Sequence, residues 1–310
     1  MRQFLVKAGA FLSVIILLNL LVYKLSIYAV DQEEHKFLKL GKNIKCIFAG
    51  DSNVESAIND KLIPNSVNVA ESGEAYLYTY EKLRSLLAYN DQVRYVFLGL
   101  STQNLLKIVE DRWLFNSDFI IEGLMNYNYL LDNSDMILIF KKNPQAFLRG
   151  ICSGIYTNFK TCFRGLPLNE LNQEDIHFGG YQYLTRDKLQ EDIKRNVYQD
   201  QSFEQGLLQE KYLRKISSLC RSRSVRLVLF NTPKHNLYRS SISREIKENY
   251  AAVTNTFSGD SLLDYSAFPL QDSCFSDLIH LNTKGAEIFS KYLNEKISSS
   301  NGGTDLKRSD

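Results

Sequence analysis

The sequence predicts an α/β protein built on a parallel sheet of about five strands. Two observations carry that expectation. Short apolar runs without alternation recur at Cys46–Ala49, Val93–Leu98 and Val225–Phe230, the pattern of strands buried on both faces. Each run ends in a Gly or Asn turn, and segments of helix length separate the first three strands. Strand, helix, strand at that spacing argues for right-handed crossovers between parallel neighbours.

Taken in order, the chain begins with Arg2 and Lys7 ahead of Ala8–Tyr23, a stretch without charge. Lys24 interrupts, and apolar residues resume to Val30 before Asp31, Glu33 and Glu34. A lysine near a helix end can snorkel, so Phe4–Val30 reads as one bilayer span, with residues 1–30 an uncleaved anchor. Basic residues before the span and acidic ones after it place the bulk of the chain outside the cytoplasm, in the periplasm. A cleavable leader would cut after Ala29, where Ile27 fits a small-residue site poorly.

The first strand, Cys46–Ala49, runs into Gly50-Asp51-Ser52. Gly50 permits a sharp turn, and Asn53–Ile58 can open a helix. Ser52 then stands at the carboxyl end of a central strand, where open parallel sheets place their ligands. Ser66–Ala70 is a second strand, followed by Glu71-Ser72-Gly73-Glu74 and a helix with Leu83, Leu86 and Leu87 inward. The third strand ends at Gly99-Leu100-Ser101-Thr102-Gln103-Asn104.

From Leu105 to Tyr212 the strand rhythm stops, in a segment with Trp113, Phe115, Tyr127, Tyr129, Phe140 and Phe147. A segment of this length reads as an insertion, a cap over the sheet's active edge. Its aromatic residues suit core packing or sugar-ring stacking. A helix over Phe203–Cys220 leads to the fourth strand, Val225–Phe230, and Ser261–Tyr265 is the fifth. The last helix spans Lys284–Ile297, and the polar tail 299–310 is expected to be disordered. Residues 31–298 thus form one sheet domain.

Composition narrows the functional classes. Among 310 residues, 37 basic and 35 acidic side chains leave a net charge of +2, which offers no nucleic-acid surface. Cys46, Cys152, Cys162, Cys220 and Cys274 lack metal-ligand spacing, and an odd number leaves at least one thiol unpaired. Cys152 and Cys162 are compatible with a disulfide or with two free thiols. No metal or other cofactor is called for. Four histidines, His35, His177, His235 and His280, leave few choices for a base.

Asp277-Leu278-Ile279-His280 precedes the last helix. A carboxylate three residues before a histidine can accept its Nδ1 proton and leave Nε2 to act as a base. The last loop of a parallel sheet lies within reach of the loop after the first strand, so Ser52, His280 and Asp277 can converge. His177 and His235 stand in loops that can line a groove.

Together, Gly50-Asp51-Ser52, Asn68-Val69-Ala70-Glu71-Ser72-Gly73 and Asp277-Leu278-Ile279-His280 resemble the SGNH, or GDSL-type, esterases and acyltransferases, in that family's order. The resemblance implies a flavodoxin-like three-layer α/β/α sandwich with Ser52 as nucleophile, His280 as base and Asp277 as orienter. It implies oxyanion donors at Ser52 and Gly73. The family's third block is Gly-x-Asn-Asp, and here Ser101 stands at the asparagine position. Ser101, or Asn104 in a rearranged loop, is then the remaining donor. With the anchor, the resemblance points to O-acetyl transfer or ester hydrolysis on a cell-envelope polysaccharide, with a membrane acyl-donor protein as a partner. A broad carboxylesterase or lipase is the second reading. A weakly catalytic glycan-binding or assembly subunit is a third, of another class, and the reactivity of Ser52 separates it from the other two.

Overall fold

The computed structural model describes residues 2–164, 179–185, 187–195, 204–257 and 259–300. The chain divides into two units, Met1–Lys39 with Ser117–Ile176, and Leu40–Asn116 with His177–Asp310.

The first unit is helical. Helix Pro144–Arg164 packs against Arg2–Phe37, Ser117–Tyr127 and Asn133–Lys142. Proline fits the first turn because that position has no intrahelical use for an N–H. Asp132 caps the helix after it by accepting from Asp135 N at 2.9 Å. Leu124, Ile120 and Ile139 are fully buried in this unit.

Here the expectation of a membrane span is corrected. Among the described residues, no helix is long and apolar enough to cross a membrane. The apolar run is part of the 36-residue helix Arg2–Phe37, and Asn19, Lys24 and Ser26 interrupt it. One side of its later turns faces protein, where Ser26 is fully buried and Tyr23 Oη donates to Asn128 O at 3.5 Å, while Leu25 and Tyr28 on the same turns are exposed. Phe4, Phe11 and Leu17 of the same helix are exposed. The single-pass anchor over 1–30, the membrane contact through 4–30 and the periplasmic placement all rested on that span and fall with it.

The second unit is the α/β body. Its strands are β1 (Cys46–Ala49), β2 (Ser66–Asn68), β3 (Tyr95–Gly99), β4 (Arg226–Asn231) and β5 (Ser261–Asp264), all parallel in the order β2-β1-β3-β4-β5. This is the five-stranded parallel arrangement, flanked by helices, that the unalternating apolar runs predict. Both faces are covered. Phe48 and Phe97 stack at 4.9 Å, Phe230 meets both edge-on, and Phe289 of the C-terminal helix belongs to the same cluster. The residues between them, Ile47, Val96, Leu98 and Leu229, are buried too. Each such side chain contributes roughly 1.5–3 kcal/mol on leaving water.

Strand order reverses between β1 and β3, so the connections that leave their carboxyl ends run to opposite sides of the sheet, the place where open parallel sheets put their ligands. The helices differ from expectation by a few residues. The helix before β4 is Leu207–Ser222, starting only after Gly206, and the last is Thr283–Ser300. β2 stops at Asn68 because the Asn68 side chain takes over, accepting from Ala70 N at 3.0 Å. The segment 105–212 is shared between the units. Its turns over Lys107–Leu114 and its later part, with the helix Leu189–Arg195, belong with the sheet. Tyr127 is buried in the helical unit, where Phe140 and Phe147 meet edge-on. Cys46, Cys152, Cys220 and Cys274 are free thiols, whereas the Cys162 side chain, His177 and residues 301–310 lie outside the described set.

Candidate active site

The site starts at the end of β1. Gly50 has φ 142°, a conformation that L side chains rarely adopt, and it turns the chain away from the strand. Asp51 then caps the helix Ser52–Ala57, accepting from Asn53 N at 3.0 Å. Ser52 is the first residue of that helix and only partly buried. Asn68 fixes the other end of the short helix, donating through Nδ2 to Ile58 O at 2.8 Å.

The loop before the C-terminal helix supplies the partner. Asp277 Oδ1 accepts from Ile279 N at 3.0 Å and His280 N at 2.8 Å, an Asx-type turn that folds the carboxylate back toward its own histidine. His280 Nδ1 lies 2.8 Å from Asp277 Oδ2 and 3.0 Å from Oδ1. On the other side of the ring, His280 Nε2 lies 2.8 Å from Ser52 Oγ. An ionised carboxylate only accepts, so Nδ1 carries the proton and Nε2 is left to accept the serine's. Burial works to raise the Asp277 pKa. The His280 hydrogen bond and charge, with the Ile279 and His280 N–H groups, outweigh it and hold the carboxyl at about 2. The structure thus brings Ser52, His280 and Asp277 into one hydrogen-bonded line.

Backbone N–H groups stand close to the same line. Ser52 N–H opens a helix and has no intrahelical acceptor. Gly73, at φ 72°, stands in a turn hung on β1 by Glu71 N donating to Gly50 O at 3.1 Å. Behind that turn, the buried Lys82 ammonium donates to Glu74 and to Val69 O. Ser101 and Asn104 are differently employed. Ser101 Oγ donates to Asn104 Oδ1 at 2.8 Å, and Asn104 Nδ2 donates to Asp51 Oδ2 at 2.9 Å. The two side chains hold each other and the Asp51 carboxylate.

The rim is acidic. Glu55, one helical turn after Ser52, accepts from Ser72 Oγ, and burial raises its pKa despite that bond. Residues 179–185 and 187–188 run past the Ser52–Ala57 helix and the loop that carries His280: Gln182 N donates to Glu55 O, Gly180 N to Ala70 O, and Lys188 N to Ser276 O. His235 has structural work. It caps the helix Asn236–Ser241 through Leu237 N, and its other nitrogen meets Asp272 at 3.1 Å. Among the described residues, Asp51, Glu55, Asp277 and His280 belong to no cluster spaced to hold a metal ion.

Sequence reasoning missed Asn53, Thr232 and Lys234, which join this site from beneath. The position of Asn231-Thr232-Pro233-Lys234 at the carboxyl end of a parallel strand was the available signal.

A protein-family model matches residues 177–301, the stretch that carries Asp277 and His280. No curated protein matches the sequence. Solved structures that resemble the chain include a GDSL-like lipase from Bacteroides thetaiotaomicron, at 11% identity and a TM-score of 0.39, covering 84% of this chain and 91% of that one. A candidate platelet activating factor from Streptococcus pneumonia is 12% identical with a TM-score of 0.41, covering 93% and 99%. A candidate acylhydrolase from Bacteroides fragilis is 10% identical with a TM-score of 0.39, covering 87% and 94%.

Proposed function

We propose that the protein is a serine-dependent ester hydrolase of the SGNH type, acting through an acyl-enzyme at Ser52. The observation that carries this reading is the 2.8 Å approach of His280 Nε2 to Ser52 Oγ, with Asp277 on the opposite ring nitrogen. As Ser52 Oγ bonds to the substrate's carbonyl carbon, its proton passes to His280 Nε2. Asp277 stabilises the imidazolium that forms. The carbonyl π pair moves onto oxygen, and the Ser52 and Gly73 N–H groups receive that oxyanion. His280 then gives its proton to the departing alkoxide as the ester C–O bond breaks. A water, or the hydroxyl of an acceptor, reverses the sequence and frees Ser52.

Acyl transfer to a glycan hydroxyl uses the same chemistry and differs only in the acceptor. The case for an envelope polysaccharide drew on a membrane span, and among the described residues no helix is long and apolar enough to be one; the Ser52–His280–Asp277 geometry supports hydrolysis of carboxylic esters without it. The test is labelling by a fluorophosphonate probe, together with turnover of short-chain p-nitrophenyl esters. Labelling of the wild type and none of Ser52→Ala is the expected result. An unlabelled wild type would leave the binding-subunit reading in its place.

A further inference from the structure

The loop after β4 holds a buried cation that the acyl-transfer scheme leaves unused. Lys234 is 4% exposed. Its ammonium donates to Asn53 Oδ1 at 2.5 Å, Thr232 Oγ1 at 2.8 Å and Ile279 O at 3.1 Å. An ammonium has three hydrogens, and each one here has its acceptor.

The identity of those acceptors is informative. Asn53 is the residue after the nucleophile, and Ile279 is the residue before the base. Thr232 closes β4 and ties the lysine to the sheet. The lysine's own backbone is fixed as well, since Lys234 N donates to Ser266 O and His235 N to Leu278 O, each at 3.1 Å. Asn53 Nδ2 in turn reaches both Asp51 oxygens at 3.0 Å. A continuous buried chain therefore runs Ser101, Asn104, Asp51, Asn53, Lys234, Ile279, linking the segments that carry Ser52 and His280.

Stability alone does not account for a lysine at this position. A buried charge costs several kcal/mol unless it is paired, and Lys234 makes no direct ion pair among the described residues. A methionine would fill a similar volume without that cost. What the ammonium supplies, and an apolar side chain cannot, is three directed hydrogen bonds to three separate segments.

We propose that Lys234 is a positioning residue that sets the Ser52–His280 distance by bonding the residue after one to the residue before the other. The proposal rests on the reading of Ser52 as nucleophile only for its consequences in rate, because the distance itself can be measured. Protonation also matters. Burial lowers the Lys234 pKa to about 8, against the pull of Asp51 from the end of β1, Asp277 from the histidine's loop and Asp264 from β5. His280, His235 and Tyr265 are further titratable groups on the segments around it. A neutral amine has two hydrogens for the same three acceptors, so one tie is lost as pH rises.

The experiment compares the full-length wild type with Lys234→Met and Thr232→Val, with circular dichroism as the check on folding. A crystal structure of Lys234→Met should show Ser52 Oγ and His280 Nε2 separated beyond hydrogen-bond reach, more than about 3.2 Å. Fluorophosphonate labelling should slow about 10- to 100-fold, as expected for a misplaced nucleophile–base pair. In ester turnover kcat should fall while KM is kept. Thr232→Val, nearly isosteric, should lose about 2- to 10-fold. Wild-type labelling should decline above pH 8, and this decline should vanish in Lys234→Met, a change that a purely structural role would not produce. A folded Lys234→Met with its Ser52–His280 contact and rate unchanged would overturn the proposal. Should that variant not fold, wild-type rate and pH profile in Thr232→Val would overturn it equally. A wild type that does not label at all would defeat the proposed function, and the distance in the Lys234→Met crystal would still decide the positioning role.

Discussion

Replacing Asp277 by Asn isolates the carboxylate that orients the imidazole, and the structure gives the size of the effect. The Asp277 carboxyl is held at about 2, against an ordinary 3.8. At 1.36 kcal/mol per pH unit, that depression is worth about 2 kcal/mol. The sign follows from the direction. A depressed carboxyl stabilises the fold fully above its unfolded pKa, and the contribution is lost as pH falls from about 4 to about 2. Wild type should exceed Asp277→Asn by up to about 2 kcal/mol near pH 5. The two should converge near pH 2, where a protonated Asp and an Asn have similar shape and no charge. Urea unfolding at several pH values reads this directly, with the single tryptophan, Trp113, reporting on the sheet unit. The variant should also label with fluorophosphonate up to about ten-thousand-fold more slowly, because the wrong tautomer then faces Ser52. Parallel acid destabilisation of the two proteins, or equal labelling, would refute the assigned role of Asp277.

Three further outcomes are expected. Ser52→Ala should abolish probe labelling and ester turnover while its unfolding midpoint stays close to wild type, since Ser52 is only partly buried. Gly73→Ala should cost about 1 kcal/mol in a thermal melt, because φ 72° is strained for alanine. A displaced N–H should also slow labelling by up to about a hundredfold. Ser101→Ala should slow labelling by less than about tenfold, because its hydroxyl bonds to Asn104. Asn104→Ala should be the more damaging change, since it removes a donor from the buried Asp51 carboxylate, and unfolding and labelling measured on both variants decide the order.

The strands were legible because a parallel sheet covered on both faces leaves a one-dimensional signature, runs such as Cys46–Ala49 and Val225–Phe230. The Ser52, His280 and Asp277 positions were legible for a related reason. Both segments sit at the carboxyl edge of the sheet, and the Asp277–His280 spacing is local enough to imply its own hydrogen bond. Long-range polar partnership has no such signature. Nothing in Lys234 or Asn104 marks them as buried, since lysine and asparagine are usually surface residues. Their roles come from pairings with residues far away in the chain. The membrane reading failed where composition stood in for structure: a helix that places Tyr23 and Ser26 against protein is less uniform than its leucine content suggests.

The altered third block bears on how this site handles charge. Ser101 Oγ is bonded to Asn104 and Asn104 Nδ2 to Asp51, so in the proposed mechanism neither side chain serves the oxyanion in this arrangement. The gain is a fully bonded carboxylate beside the nucleophile: Asp51 accepts from Asn53 N, Asn53 Nδ2 and Asn104 Nδ2. Those bonds hold its negative charge in place where an unbonded carboxylate would turn toward Ser52 and oppose an oxyanion. On the proposed mechanism, the Ser52 and Gly73 N–H groups alone would stabilise less charge than three donors, by about 3–4 kcal/mol for the missing one. Such a site should then depend strongly on the leaving group. Activated aryl esters, whose transition states place less charge on the carbonyl oxygen, should be turned over far better than alkyl esters of the same acyl chain. Equal kcat/KM values, which report the acylation step, on p-nitrophenyl and ethyl esters would mean that a third donor, from Ser101 or Asn104, swings into place when substrate binds.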